Sequence, residues 1–213
     1  MPPANPTARR YDAIEPRLRT GDIFLFHGNS AISRKIENAT HSKFSHCAMV
    51  IRPDISKRPY LWQTGPIKIV KDRFTRTDHG GAQLGYLREA IDLMASPQYG
   101  DMPTWRQLKV HRTRAFETMA QVIVKDIDGR PFPSLKGMLR DWQDGAKHVM
   151  DSDRTLFCAE LVAETLMRMG ILPFDLPPNG YAPATFSMKN RKLRLRKSAV
   201  LGPEVPIIPP AHR

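Results

Sequence analysis

The run Phe44-Ser45-His46-Cys47-Ala48-Met49-Val50-Ile51 is apolar on both faces, which marks it as a strand buried inside a sheet. A chain carrying such a strand has to build core around it. At 213 residues it is long enough to do so as one sizeable α+β domain. His46 interrupts the run. Side chains alternate along a strand, so His46 is expected to share a face with Phe44, Ala48 and Val50, while Cys47 points the other way. On its own, a histidine in this setting reads as a satisfied core residue.

A second segment gives His46 a partner. In Phe157-Cys158-Ala159-Glu160-Leu161-Val162 a polar turn gives way to a helix, with Thr155 as the expected N-cap. Ala159, Val162, Ala163, Leu166 and Met169 make one apolar face, and Gly170 with Pro173 supplies the stop. A thiol in the first turn of a helix feels unpaired backbone N–H groups and the positive end of the dipole, and both favour thiolate. A free cysteine is more often a small buried hydrophobe. A nearly neutral base held on a rigid strand is, however, what such a thiol needs for activation. Cys158 and His46 together therefore point to a thiol nucleophile and its base.

The flanking residues carry a resemblance. The segment Leu18-Arg19-Thr20-Gly21-Asp22-Ile23-Phe24-Leu25-Phe26 is followed by a helix bearing Ile32, Ile36 and Ala39 on one face, and then by Ala39-Thr40-His41-Ser42-Lys43-Phe44-Ser45-His46. This resembles the entry of the permuted NlpC-type papain-like hydrolases, the group that includes lecithin:retinol acyltransferase and the bacterial YiiX-like proteins. Phe157 to Met169 is similar to that group's nucleophile helix, and Tyr181-Ala182-Pro183-Ala184-Thr185-Phe186 is similar to the proline-containing segment that follows it. His precedes Cys here, as the permutation requires. The resemblance implies an α+β, circularly permuted papain-like fold with an antiparallel sheet packed against the Cys158 helix. It implies one domain over residues 18–213, with residues 96–150 as a poorly matched helical insertion, while Pro2, Pro3, Pro6 and Pro16 mark a flexible arm at 1–17. It also implies a third polar residue on the strand Tyr60-Leu61-Trp62-Gln63-Thr64. Gln63 stands where many relatives have Glu, so it can orient His46 but not add negative charge. An ordinary polar strand residue is the competing reading. The Cys158 backbone N–H is the expected oxyanion donor.

Other features bound the function. No apolar run reaches 18 residues and none follows the N-terminus, so neither a transmembrane helix nor a secretory signal is expected, and the default compartment is the cytoplasm. Two cysteines are too few for a disulfide framework, and their expected strand faces and roles argue against a Cys47–Cys158 bridge. The seven histidines show no His-x-x-x-His spacing, and no Cys-x-x-Cys occurs, so no metal or cofactor is expected. His27 and His41 read as surface loop residues.

Two helices are expected in the middle of the chain. Phe116, Met119, Ala120, Ile123 and Ile127 mark a core-facing one; Leu135, Met138, Leu139 and Trp142 mark one that either packs on the core or serves as a lid. Net charge is +12, concentrated in Lys189, Arg191, Lys192, Arg194, Arg196 and Lys197, with Leu193 and Leu195 alternating as in a strand with one face inward. Such a face is commonly just solvated. It also suits an anionic membrane surface and, less well, nucleic acid. The expected activity is hydrolysis of an amide or ester bond through an acyl-cysteine on Cys158, with His46 as base. The alternatives are a lipid acyltransferase of the same fold, or a non-catalytic basic protein on anionic membrane or nucleic acid. The residues leave open whether the substrate is a small molecule, a peptide or a lipid.

Overall fold

The structure, a computed structural model, describes residues 7–66, 70–150, 154–190 and 193–210. It is a mixed α/β fold. The strands are β1 (Arg9–Arg10), β2 (Ile23–His27), β3 (His46–Ile51), β4 (Tyr60–Gly65), β5 (Gly81–Tyr86), β6 (Met102–Arg106), β7 (Leu108–Lys109), β8 (Val200–Leu201) and β9 (Val205–Ile208). The helices are α1 (Tyr11–Ile14), α2 (Ala31–Thr40), α3 (Leu87–Met94), α4 (Arg114–Ile127), α5 (Leu135–Gly145) and α6 (Cys158–Arg168). One sheet runs β1-β9-β6-β2-β3-β4-β5, antiparallel throughout except for the β1–β9 pair. β7 and β8 form a small separate ladder.

Both faces of the sheet are covered, which is why β2 and β3 read as almost continuous apolar runs. Ile23, Leu25, Cys47, Met49 and Trp62 belong to the core shared with α4, α5 and α6. Their alternating neighbours Phe24, Phe26, Ala48, Val50 and Leu61 pack against Tyr11 and Ile14 of α1 and Leu87, Ala90 and Ile91 of α3. Phe44 lies on the α6 side rather than with Ala48, because the strand starts only at His46.

The arm expected at 1–17 is corrected over its second half. Arg9 and Arg10 pair in parallel with Ile207 and Ile208, and Tyr11 and Ile14 are fully buried. Residues 1–6 lie outside the described residues. The basic strand expected at 189–197 is also corrected. Leu193 and Leu195 do turn inward and Arg194 and Arg196 outward, but no ladder forms there among the described residues. Lys197 and Ser198 adopt φ of 54° each, and the Lys197 amino group donates to the Met169 carbonyl (3.0 Å) at the end of α6, so this cation caps a helix. Arg191 and Lys192 lie outside the described residues. Met119 is also corrected: it faces outward from α4, 44% exposed.

α6 is fixed at both ends. Its N-cap is Phe157, not Thr155; the Phe157 N–H donates to the Glu160 carboxylate (3.3 Å). Its C-terminus closes as expected at Gly170, with φ of 68°. Ile171 N–H donates to Leu166 O and Gly170 N–H to Met167 O, both at 2.8 Å, which completes a Schellman motif. From β4, Trp62 Nε1–H donates to Thr165 Oγ1 (3.1 Å), and Thr64 Oγ1–H to the Leu156 carbonyl (3.1 Å). These bonds fix α6 and the residue two before its start relative to the sheet.

Asp22 pins the opposite end of β2. Fully buried, it accepts from Leu108 N–H (3.0 Å), Trp105 Nε1–H (3.0 Å) and Arg19 N–H (3.1 Å), with the Arg112 guanidinium 3.5 Å away. Asp22→Ala is expected to destabilise the fold by about 3 kcal/mol or more, since it strands buried donors and an arginine together. Urea unfolding followed by tryptophan fluorescence measures it. A loss below about 1 kcal/mol would show that the network is dispensable.

Candidate functional site

The structure brings together the three residues singled out from the sequence. His46 is the first residue of β3, Cys158 the first of α6, and Gln63 lies in β4 beside β3. On β4 the alternation divides the work: Trp62 and Thr64 grip α6 and the chain before it, while Gln63 projects to the other face and meets His46. His46 Nε2 and Gln63 Oε1 are 3.1 Å apart. An amide oxygen only accepts, so Nε2 carries a proton, leaving Nδ1 as the nitrogen that takes up and releases one. The Cys158 side chain hydrogen-bonds His46. The imidazole is also braced by the Phe26 ring, with centroids 5.5 Å apart.

Cys47 is where sequence reasoning failed. The alternation was correct, but the face to which Cys47 points is the one α6 packs on, so the two cysteines are neighbours. Cys47 hydrogen-bonds Cys158 through both its thiol and its backbone N–H. Both cysteines are free.

These contacts set the charges. The Cys47 S–H donates to the Cys158 sulfur and is the largest influence holding the Cys158 thiol well below its ordinary range. Burial opposes it, and the charge and hydrogen bond of His46 add to it. Cys47 is pushed well above the ordinary range, by burial first and then by the Cys158 charge. Burial alone lowers the pKa of His46, but the Cys158 thiolate, Asp101 and Gln63 more than offset it, and the net direction is up. These shifts all favour thiolate on Cys158 and imidazolium on His46, with Cys47 as the neutral donor.

Asp101 is the other residue the sequence did not reveal. It lies between α3 and β6, where no periodic pattern marks it. Burial raises its pKa, and the charges of His46 and His27 partly counter that. His27, expected on a surface loop, ends β2 half-buried with Nδ1 2.8 Å from Glu37. His41 is exposed at the left-handed C-cap of α2, with φ of 50°.

Cys158 and His46 open onto a cavity of about 260 Å³, whose walls are mainly apolar: Ile32 and Ile36 of α2, Phe132, and Leu135 and Met138 of α5. Asp101 is its main charged group besides the pair. A narrower cleft continues past Cys158 between Leu139, Trp142 and Tyr181. α5 is thus a wall of the cavity, its Met138 buried. Its far end is anchored: Asn179 Nδ2 donates to Asp141 O (2.8 Å) and Val149 O (3.0 Å). A Cβ on Gly145 would stand 2.3 Å from the Gly180 nitrogen, so only glycine allows that approach.

A scan of known protein families finds no match to this chain, and neither does a search of curated proteins. Among solved structures, the fold is similar to that of the metalloprotein yiiX from Escherichia coli O157:H7. The two share 17% identity at a TM-score of 0.50, over 91% of this chain and 98% of that one. This places the chain in a YiiX-like fold, a mixed α/β architecture with a mostly antiparallel sheet. No helix among the described residues is long and apolar enough to cross a membrane.

Proposed function

We propose that this protein is a cysteine-dependent acyl-transfer enzyme of circularly permuted papain-like architecture, hydrolysing an amide or ester bond through an acyl-Cys158 intermediate. The observation that carries this reading is the hydrogen-bonded series Cys158–His46–Gln63 at the wall of an apolar cavity. The Cys158 thiolate attacks the substrate carbonyl carbon, and the carbonyl electron pair moves onto oxygen. The Cys158 backbone N–H, at the positive end of α6, faces that developing charge. As the C–N or C–O bond breaks, His46 gives its Nδ1 proton to the leaving group, and a thioester remains. A water then loses a proton to His46 and attacks the thioester carbonyl, releasing the acid and restoring the thiolate. Gln63 holds the ring in register throughout and takes no proton.

The apolar walls fit a short or medium aliphatic or aromatic acyl group better than a charged one, since a charge there would be desolvated with only Asp101 nearby. Incubation with p-nitrophenyl butyrate should add one butyryl group to the intact mass, and peptide mapping should place it on the Cys158 peptide. A protein that gains no mass, or gains it equally with Cys158 replaced by Ala, would rule out the acyl-enzyme.

A further inference from the structure

Away from the thiol, Asp72, His79 and Asp128 each offer one ligand atom, and these atoms all lie within 4.8 Å of one another. Asp72 and His79 come from the loop between β4 and β5, and Asp128 is the C-cap of α4. Asp72, with no exposed side-chain surface, is locked in place: Oδ1 accepts from Phe74 N–H (2.7 Å) and Thr75 N–H (2.8 Å), and Oδ2 from Leu84 N–H (2.9 Å). His79 Nδ1 faces the Gly80 carbonyl at 3.0 Å, so Nδ1 is an N–H, and in the neutral ring Nε2 is the nitrogen that offers a lone pair. That Nε2 is buried, has no hydrogen-bond partner, and lies 3.9 Å from Asp72 Oδ1. Asp128 hydrogen-bonds Asp72 through a proton that it carries itself and that an incoming cation would displace, and it leaves its own Oδ1 buried and unpartnered. Among the described residues no lysine or arginine pairs with any of the three.

Two orphaned lone pairs and a fixed carboxylate converging on one point describe a donor set for a cation. One imidazole and two carboxylates suit a borderline divalent ion better than a soft thiophilic or a purely oxygen-seeking one. Ligand atoms on a tetrahedral zinc ion lie about 3.4 Å apart at normal bond lengths. Closing the 3.9 Å separation of Asp72 and His79 therefore needs only a small side-chain rotation. The His79 side chain is 23% exposed, which gives an ion a way in and leaves room for water as a fourth ligand. We propose that Asp72, His79 and Asp128 form a binding site for a divalent transition-metal ion of the zinc class.

The position gives the site a structural task. Gly129 N–H donates to Ala82 O and Ala82 N–H to Arg130 O, both at 2.8 Å, so the start of β5, next to the β4–β5 loop, and the segment after α4 are already stitched together. Gly81, with φ of 89°, permits this, because a Cβ there would stand 2.4 Å from Arg130 O. Gly65 and Pro66 at one end, and Phe132 and Pro133 at the other, line the Cys158 cavity. An ion held by the three residues fastens two walls of that cavity to each other. It does so away from the reacting atoms.

Zinc titration by calorimetry into EDTA-treated full-length protein tests this. A background carrying Cys47→Ser and Cys158→Ser is used so that thiols take no metal. One ion per chain is expected, with a rise in Tm. His79→Ala and Asp128→Asn should each weaken binding by about 100-fold or more, no less than the upper end of the roughly 10- to 100-fold that loss of an outer-shell partner costs. Circular dichroism should remain unchanged in both variants, and Co2+ should give a visible d–d spectrum in the background protein only. Asp72 is left intact because it also holds its own loop. Failure of zinc to bind stoichiometrically, or binding undiminished in both variants, would overturn the site. Neither result bears on acyl transfer, which is read from Cys158 adducts.

Discussion

Cys158→Ser should lower kcat/KM for an activated butyrate ester by at least ~1,000-fold, since loss of a nucleophile typically costs that much or more. The oxygen is nearly isosteric but has no comparable acidity. The network that ionises the thiol cannot ionise an alcohol: Cys47 S–H and the His46 charge act on a group whose pKa starts far too high. Cys47→Ser is the informative comparison, because a serine hydroxyl at 47 still donates to the Cys158 sulfur. It should lose far less, on the order of 10-fold. Initial rates at matched folded concentration, checked by circular dichroism, decide the matter. If both serine variants lose activity equally, the nucleophile is shared or misassigned. If Cys158→Ser retains more than a tenth of the parent rate, covalent catalysis at this residue is wrong.

What the sequence made legible follows from how local each signal is. β2, β3 and β4 are visible because a strand covered on both faces has few polar residues. The end of α6 is visible because a left-handed position after a helix selects glycine, and Gly170 is one. The series Cys158, His46 and Gln63 was legible because each residue breaks or starts a strong pattern. The place of Cys47 was not: alternation says that residues 46 and 47 diverge, but not which face will receive α6. The packing of Tyr11 and Ile14 was hidden because β1 has two residues and its partner β9 lies near the far end of the chain. Asp101 and the group Asp72, His79 and Asp128 sit in loops with long separations, where neither periodicity nor short motif spacing applies. The alternation of Leu193 and Leu195 survived without a strand, since burial of alternate residues does not require a ladder.

The second large effect lies in the pH dependence of Cys158 alkylation. Cys158 is held below and His46 above their ordinary values, so the ion pair persists between the two shifted values. The thiolate is present above the lowered Cys158 value and is lost only as pH falls through it. The iodoacetamide rate constant should therefore stay flat from alkaline pH down past about 8.5, where a free thiol loses its thiolate. Cys158 is only 4% exposed, so a small uncharged reagent entering through the apolar cavity is needed. His46→Ala removes both the attracting charge and a hydrogen bond, which moves the Cys158 midpoint up. At pH 6 its labelling should fall at least ~10-fold below that of the parent, while above about pH 9.5 the two should converge, because both are then thiolate. Cys47→Ala removes the largest stabilising contact and should shift the midpoint in the same direction. Combined with His46→Ala, it should move the midpoint further towards the ordinary value, since burial is then opposed only by the backbone N–H of residue 47 and the start of α6. Cys47 itself should stay unlabelled in the folded protein, being buried and shifted upward. Superimposable rate–pH curves for the parent and His46→Ala would mean that the imidazole does not hold the charge of Cys158, and the nucleophile–base pair would have to be abandoned.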